Sequence, residues 1–276
     1  MPGRAHVARP AAVALGLAAL LSTGVAAGAP VTPAAPAAAK PIGTGPTDTR
    51  AWTARVELPT VGRAKPSSRA KVVARVSQYA PYDGDPQVLL VLETARGPGG
   101  PWYRLLLPNR PNGRSAWVSG SVLRVTATAY RVRVTISTRQ VELLRAGRVI
   151  STYRAAVGTN QNPTPTGLFA VSEVVPQDKP GGFYGPFIVT LAAHSDHLSE
   201  FDGGNGQVAL HGTSLPGLLG QAVSHGCVRM GNADITTVVS KIRPGVPVEI
   251  RATPDSAPAG GSTTTTTTGS TTTPAA

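Results

Sequence analysis

Ser224-His225-Gly226-Cys227-Val228-Arg229-Met230 contains the single cysteine of the chain, and the reading of the second half of the protein turns on it. His211-Gly212-Thr213, a second His-Gly pair, lies upstream. One cysteine can make no internal disulfide, so in an exported chain its thiol is either inert or a working nucleophile. A thiol is a weak nucleophile until it loses its proton, and His211 and His225 are the two candidate bases. Gly226 has no side chain, so a substrate carbonyl can approach the backbone, where N–H groups around Gly226 and Cys227 can meet an oxyanion. Arg229 alternates with Val228 and Met230, which puts it on the face of Cys227, and a guanidinium there can bind a substrate carboxylate through two hydrogen bonds. His211, His225 and Cys227 are also conceivable zinc ligands. The chain has no CxxC or HxxxH spacing, and a zinc site usually takes a fourth residue, so no metal and no other cofactor is expected.

Working outward, the segment after the motif reads as the one convincing helix. Asn232 suits an N-cap and Asp234 the positive end of the helix dipole. Ile235, Val238, Val239 and Ile242 then form one apolar stripe, and Pro244-Gly245 stops the helix. Val246, Val248 and Ile250 give a closing strand. Upstream, Arg131, Arg133 and Thr135 alternate with Val132, Val134 and Ile136, which predicts a strand with one wet face. Gln140–Leu144 and Val149–Tyr153 flank Arg145-Ala146-Gly147-Arg148, a hairpin by its glycine turn. Residues 170–175 and 187–191 read as further strands. Between them, Gln177 to Pro186 carries glycines and prolines beside Phe183 and Tyr184, which fits either a lid over a site or a plain surface hairpin. His194, in His194-Ser195-Asp196-His197, is either a pocket residue or a structural histidine.

From Ala51 to about Val125 short strands alternate with turns: 72–76, 87–92, 102–107, 116–118 and 122–125, with the turn cluster Pro108-Asn109-Arg110-Pro111-Asn112-Gly113 between them. This spacing predicts a small barrel. Trp102 and Trp117 fit either a peptide groove or core packing.

The ends differ in composition. Arg4, His6 and Arg9 precede the apolar run Ala11–Leu21, and Val25-Ala26-Ala27 offers a signal-peptidase site, so residues 1–27 read as a secretory signal. Cleavage after Ala27 and retention as a membrane anchor both remain open. Residues 28–50 are an Ala/Pro-rich linker, and 253–276 a disordered Thr/Ser-rich tail whose composition suits O-glycosylation. The formal charge of +12 draws an exported chain toward acidic wall polymers or membrane faces, although a GC-rich coding sequence also accounts for the arginines. Aromatics are only 5% and interleave with no basic stripe, so no nucleic-acid partner is expected.

His211-Gly212-Thr213 and Ser224-His225-Gly226-Cys227-Val228-Arg229-Met230 together resemble the active-site signature of the L,D-transpeptidase (YkuD-like) catalytic domain. Gly158, Thr164-Pro165-Thr166-Gly167-Leu168-Phe169 and Gly185-Pro186-Phe187 resemble the same family's pattern. The stretch Trp102-Tyr103-Arg104-Leu105, with Trp117-Val118 and Val122-Leu123, resembles bacterial SH3-like wall-associated domains. The resemblances imply a mainly β protein: a small SH3-like β-barrel over 51–126, then a β-sandwich-like catalytic domain over 127–252 with one short helix after the active-site cysteine. They further imply that Cys227 is the nucleophile and His211 its base, oriented by the carbonyl of Gly212. The amides of His225, Gly226 and Cys227 would form the oxyanion hole, with His225 flanking substrate. Ser224 and Arg229 would support the loop or hold a carboxylate, and Phe183, Tyr184 and His194 would complete the substrate site. The implied reaction transfers a peptidoglycan stem peptide through a thioester, releasing D-alanine and forming 3→3 cross-links; carbapenem β-lactams would acylate the same thiol. Water as acceptor would make the chain a carboxypeptidase or endopeptidase, and a non-catalytic wall-binding role is the remaining alternative.

Overall fold

The computed structural model describes residues 45–254 apart from 98, 201 and 202. The expected signal, most of the linker and nearly all of the Thr/Ser-rich tail lie outside the described residues. Among the described residues no helix is long and apolar enough to cross a membrane.

Strands β1 (Ala51–Val56), β2 (Thr60–Arg63), β3 (Val72–Val76), β4 (Val88–Gly97), β5 (Gly100–Leu106), β6 (Ser115–Ser119) and β7 (Leu123–Thr128) form one sheet in the order β3-β2-β6-β5-β4-β1-β7. β1 and β2 do not stand out in the sequence, because Ala51-Trp52-Thr53-Ala54-Arg55-Val56 lacks clean alternation and β2 is four residues long. Val56, Val76, Leu89, Val91, Leu105 and Val118 pack in its core. Trp102 and Trp117 are buried rather than set in a groove. The Trp102 ring lies on Gly97, where an added Cβ would stand 2.7 Å from its Cδ1.

The second sheet comprises β8 (Tyr130–Thr135), β9 (Gln140–Arg145), β10 (Arg148–Gly158), β11 (Gly167–Pro176), β12 (Phe187–His194), β13 (Gln207–His211), β14 (Ala222–Ser224), β15 (Val228–Met230) and β16 (Pro247–Arg251). Its order is β14-β10-β15-β13-β12-β11-β16-β8-β9, and β10 also pairs with β9, so the sheet closes on itself. The β9–β10 turn has positive φ at both Ala146 and Gly147, the twist a two-residue hairpin needs. Helix α1 (Asn232–Lys241) buries Ile235 and Val238 against the apolar core, which also holds Phe169, Leu191, Leu210 and Met230. Each such side chain contributes roughly 1.5–3 kcal/mol through removal from water. The helix N-cap is Gly231 and not Asn232, whose side chain is used elsewhere.

The face of β8 expected to be wet is covered. Arg131 is buried and donates to Glu249 at 3.3 Å. Arg251 meets the same carboxylate at 2.6 Å and Arg133 at 3.7 Å. Closure of the sheet takes these charges out of water, and the shared Glu249 compensates them; a buried charge without a partner would be far costlier.

The two sheets share a third apolar cluster. Ala51, Leu90 and Leu106 from the first pack with Ala170 and Ala192 from the second.

Candidate active site

β10 lies between β14, which runs parallel to it, and β15, which runs antiparallel. The chain leaving β14 must therefore cross the end of β10 before entering β15, and the crossing is His225-Gly226-Cys227. Gly226 has φ +122°, a backbone few side chains tolerate. The Ser224 hydroxyl donates to the Cys227 carbonyl and accepts the Gly226 N–H, the latter at 3.1 Å. This corrects one expectation: the Gly226 amide is turned into the loop toward Ser224 and does not face a substrate oxyanion.

β15 is also parallel to β13, with His211 in register with Arg229 and Leu210 with Val228. Register partners share a face, and side chains alternate along a strand. Val228, Met230 and Leu210 consequently enter the core, while Arg229, His211 and the preceding Cys227 stand on the opposite face. There they line one cavity of about 330 Å³ with Ser224, His225, Phe183 and Tyr184. Gly212 and Gly226 contribute backbone beside it. His194 does not line it: it is buried where Asn112 of the first sheet brackets its backbone, accepting its N–H and donating to its carbonyl, both at 2.8 Å. The expectation that it completes the substrate site therefore does not hold, because Asn112 is remote in sequence and nothing local reveals the contact.

The His211 Nδ1 lies 2.6 Å from the Gly212 carbonyl. A carbonyl only accepts, so Nδ1 carries the proton and Nε2 is left unprotonated, able to accept one. The 177–186 loop closes over this ring. Tyr184 meets it edge-on at 5.1 Å between centroids and Phe183 lies 6.3 Å away, with the Arg229 guanidinium 4.9 Å from the Phe183 centroid. The cover leaves His211 only 2% exposed, and this burial pushes its pKa down to about 4, with Arg229 adding to the fall and the Gly212 bond opposing it. Burial pushes the Cys227 thiol up, against smaller opposing effects of a backbone contact with Ala209 and of Arg229. Both shifts have one cause, desolvation of the charged form, so the resting pair is a neutral thiol and a neutral imidazole. Arg229 is 9% exposed and its Nε has no partner, an unspent cationic donor on the cavity wall.

Asn232, Glu173, Gln207 and Tyr82 escape sequence reasoning. Asn232 Oδ1 accepts the Thr213 N–H at 2.8 Å, and its Nδ2 faces the Pro180 carbonyl at 3.4 Å, tying the histidine loop to the covering loop. The only sequence signal was its polar position after the motif, which a helix-capping rule explained equally well. Among the described residues no group of three His, Cys, Asp or Glu side chains is placed to hold a metal ion.

Residues 129–250 match the family model described as the L,D-transpeptidase catalytic domain. Over this segment the chain is similar to the L,D-transpeptidase catalytic domain. Two curated relatives of the L,D-transpeptidase domain are the YkuD proteins of Bacillus licheniformis and Bacillus subtilis, each 33% identical over 121 residues. The match takes in 44% of this chain and 65% of each relative, so the chain spans less than two thirds of their length. Among solved structures, L,D-transpeptidase 3 from Mycobacterium tuberculosis in complex with a faropenem-derived adduct overlaps at 15% identity, covering 71% of this chain and 94% of that one with a TM-score of 0.37.

Proposed function

We propose that this protein is a peptidoglycan L,D-transpeptidase that forms 3→3 cross-links through a Cys227 thioester. The observation that carries the reading is the His211 tautomer: its Nδ1–H is held by the Gly212 carbonyl, so Nε2 is the free base on the sheet face that also bears Cys227. As the sulfur attacks the carbonyl of the third stem residue, His211 Nε2 takes the thiol proton. Because the resting pair is neutral, the proton moves during attack and no preformed thiolate is required. Arg229, cationic and without a partner at Nε, stabilises the negative charge that develops on sulfur and offers a site for the stem carboxylate. The Cys227 amide, in the turn between β14 and β15, serves the tetrahedral oxyanion. Collapse breaks the bond to D-alanine, whose nitrogen leaves with the proton from His211. The side-chain amine of a second stem then attacks the thioester, giving the new amide and restoring the thiol.

The same attack on the strained carbonyl of a carbapenem gives an acyl-enzyme, so these β-lactams are expected inhibitors. The N-terminal sheet is read as an SH3-like wall module on an exported chain, with its positive charge favouring acidic wall polymers.

The test is mass spectrometry of muropeptides after incubating the protein with disaccharide-tetrapeptide. A dimer lacking one D-alanine, absent with Cys227→Ala, is the expected result. A tripeptide monomer alone would make water the acceptor, and an unaltered substrate would overturn the enzymatic reading.

A further inference from the structure

The cavity at Cys227 is not built by the second sheet alone. Tyr82, on the loop between β3 and β4 of the first sheet, lines it. This residue is 54% exposed, so it is not a core aromatic, yet its position is held at three points. Its hydroxyl donates to Gln207 Oε1 at 2.9 Å, and Gln207 Nε2 is itself fixed by donating to the Leu191 carbonyl at 2.7 Å. The Tyr82 and Asp83 amides donate to one oxygen of Glu173, at 3.1 and 3.2 Å. Glu173 is 1% exposed and reaches the loop because of a register irregularity in β11. Val171 pairs with Leu191 in the core, but Glu173 pairs with Thr190, and this bulge turns the carboxylate to the cavity side of the sheet.

A second arm of the first sheet reaches the Ser195–Leu198 segment of the cavity lining. Arg110 donates to the carbonyls of Ser195 and Leu198, each at 2.7 Å, and of Asn205 at 3.2 Å. Ser195 and Leu198 line the cavity. The two sheets also share the apolar seam of Ala51, Leu90, Leu106, Ala170 and Ala192. Such a seam, with buried carboxylate-to-amide bonds, describes a rigid joint. Two mobile modules on a tether would not make it.

We propose that the first sheet is a working part of the catalytic cleft, in which Tyr82 binds the donor stem peptide at a point remote from the scissile carbonyl. The inference rests on the transpeptidase reading for its ligand. An aromatic ring with a wet edge, an anchored hydroxyl and one face on the cavity suits stacking against peptide, at little entropic cost because the ring is already held. Binding energy realised there serves to orient the carbonyl at Cys227.

The test uses the full chain carrying Cys227→Ala, which can bind the donor without acyl transfer. The Kd for disaccharide-tetrapeptide is measured by calorimetry with and without Tyr82→Ala. At least fivefold weaker binding is expected, with Tyr82→Phe, which keeps the ring, losing less than half of that factor. A Kd within twofold, equal losses for both substitutions, or no binding of the donor to the Cys227→Ala protein would overturn the proposal. On the Cys227 protein, the same Tyr82→Ala change is expected to raise KM for the tetrapeptide at least fivefold more than it slows alkylation of Cys227 by iodoacetamide; equal effects would mean a merely structural role. Donor binding to the Cys227→Ala protein without any turnover by the Cys227 protein would refute the transpeptidase reading and leave the Tyr82 site standing.

Discussion

The Thr213 N–H donates to Asn232 Oδ1 at 2.8 Å, across a gap of nineteen residues, and this contact sets the path of the chain leaving His211. The same oxygen would lie 2.3 Å from a Cβ on Gly212 and 2.4 Å from one on Gly185, so two backbone segments converge on one amide side chain. Asn232→Ala removes the acceptor and leaves a partly buried N–H unsatisfied, at about 1–3 kcal/mol. The expected loss of kcat/KM is larger than stability alone explains, about 10–100-fold, because the segment carrying the Gly212 carbonyl, which holds the His211 ring, loses its fixed path. Thermal melting and muropeptide kinetics on one preparation check this, and Asn232→Asp should recover stability better than Asn232→Ala by keeping the acceptor.

Acid inactivation should reflect the depressed His211. In the free enzyme kcat/KM reports the base, so activity is expected to fall as pH drops through about 4, where an ordinary histidine would place the limb near 6.5. Iodoacetamide should alkylate Cys227 slowly at neutral pH and faster only above the usual thiol range, since burial raises its pKa. A fast neutral-pH alkylation would indicate a preformed thiolate–imidazolium pair.

Two buried groups should give opposite stability slopes. His211 stays neutral in the folded state down to about 4 but titrates near 6.5 when unfolded. The unfolded chain then binds more protons over that window, so stability rises with pH across it. Glu173 is raised from 4.5 to about 7, first by burial and then by its hydrogen bond with Asp83. The folded state holds its proton where the unfolded chain has lost it, so this contribution falls as pH rises from 4.5 to 7. The effects oppose each other between 4.5 and 6.5. Melting curves against pH should therefore rise more steeply in Glu173→Gln and fall in His211→Ala.

The two motif histidines should rank clearly. His211 is buried with a fixed tautomer, whereas His225 is exposed at the cavity rim. His211→Ala is expected to lose a factor of about 10³ or more in kcat, and His225→Ala about tenfold or less, since positioned proton transfer is worth on the order of 10²–10⁴. Steady-state kinetics of both variants decide it, and the reverse order would exchange their roles.

Local chemistry was readable without coordinates. Ala146-Gly147 dictates its hairpin through positive φ, and the Ile235/Val238/Ile242 stripe dictates a helix with one buried face. The lone thiol between glycine and a β-alternating Val-Arg-Met marks a candidate nucleophile at the start of a strand. All three signals lie within a few residues, where steric and periodic rules act. Strand β13 was not readable, although it carries His211, because five residues without alternation become a strand only between two partners. The wet face expected on β8 became a buried ion cluster because Glu249 arrives from 118 residues away. Tyr82 and Glu173 are 91 residues apart and meet only because a bulge reverses one side chain. The sequence by itself thus determined the candidate thiol and its immediate turn. Tertiary structure alone decided the desolvation of Cys227 and His211, the use of Asn232 as a clamp and the entry of Tyr82 into the cleft, since burial and register are properties of the closed sheet and no short segment encodes them.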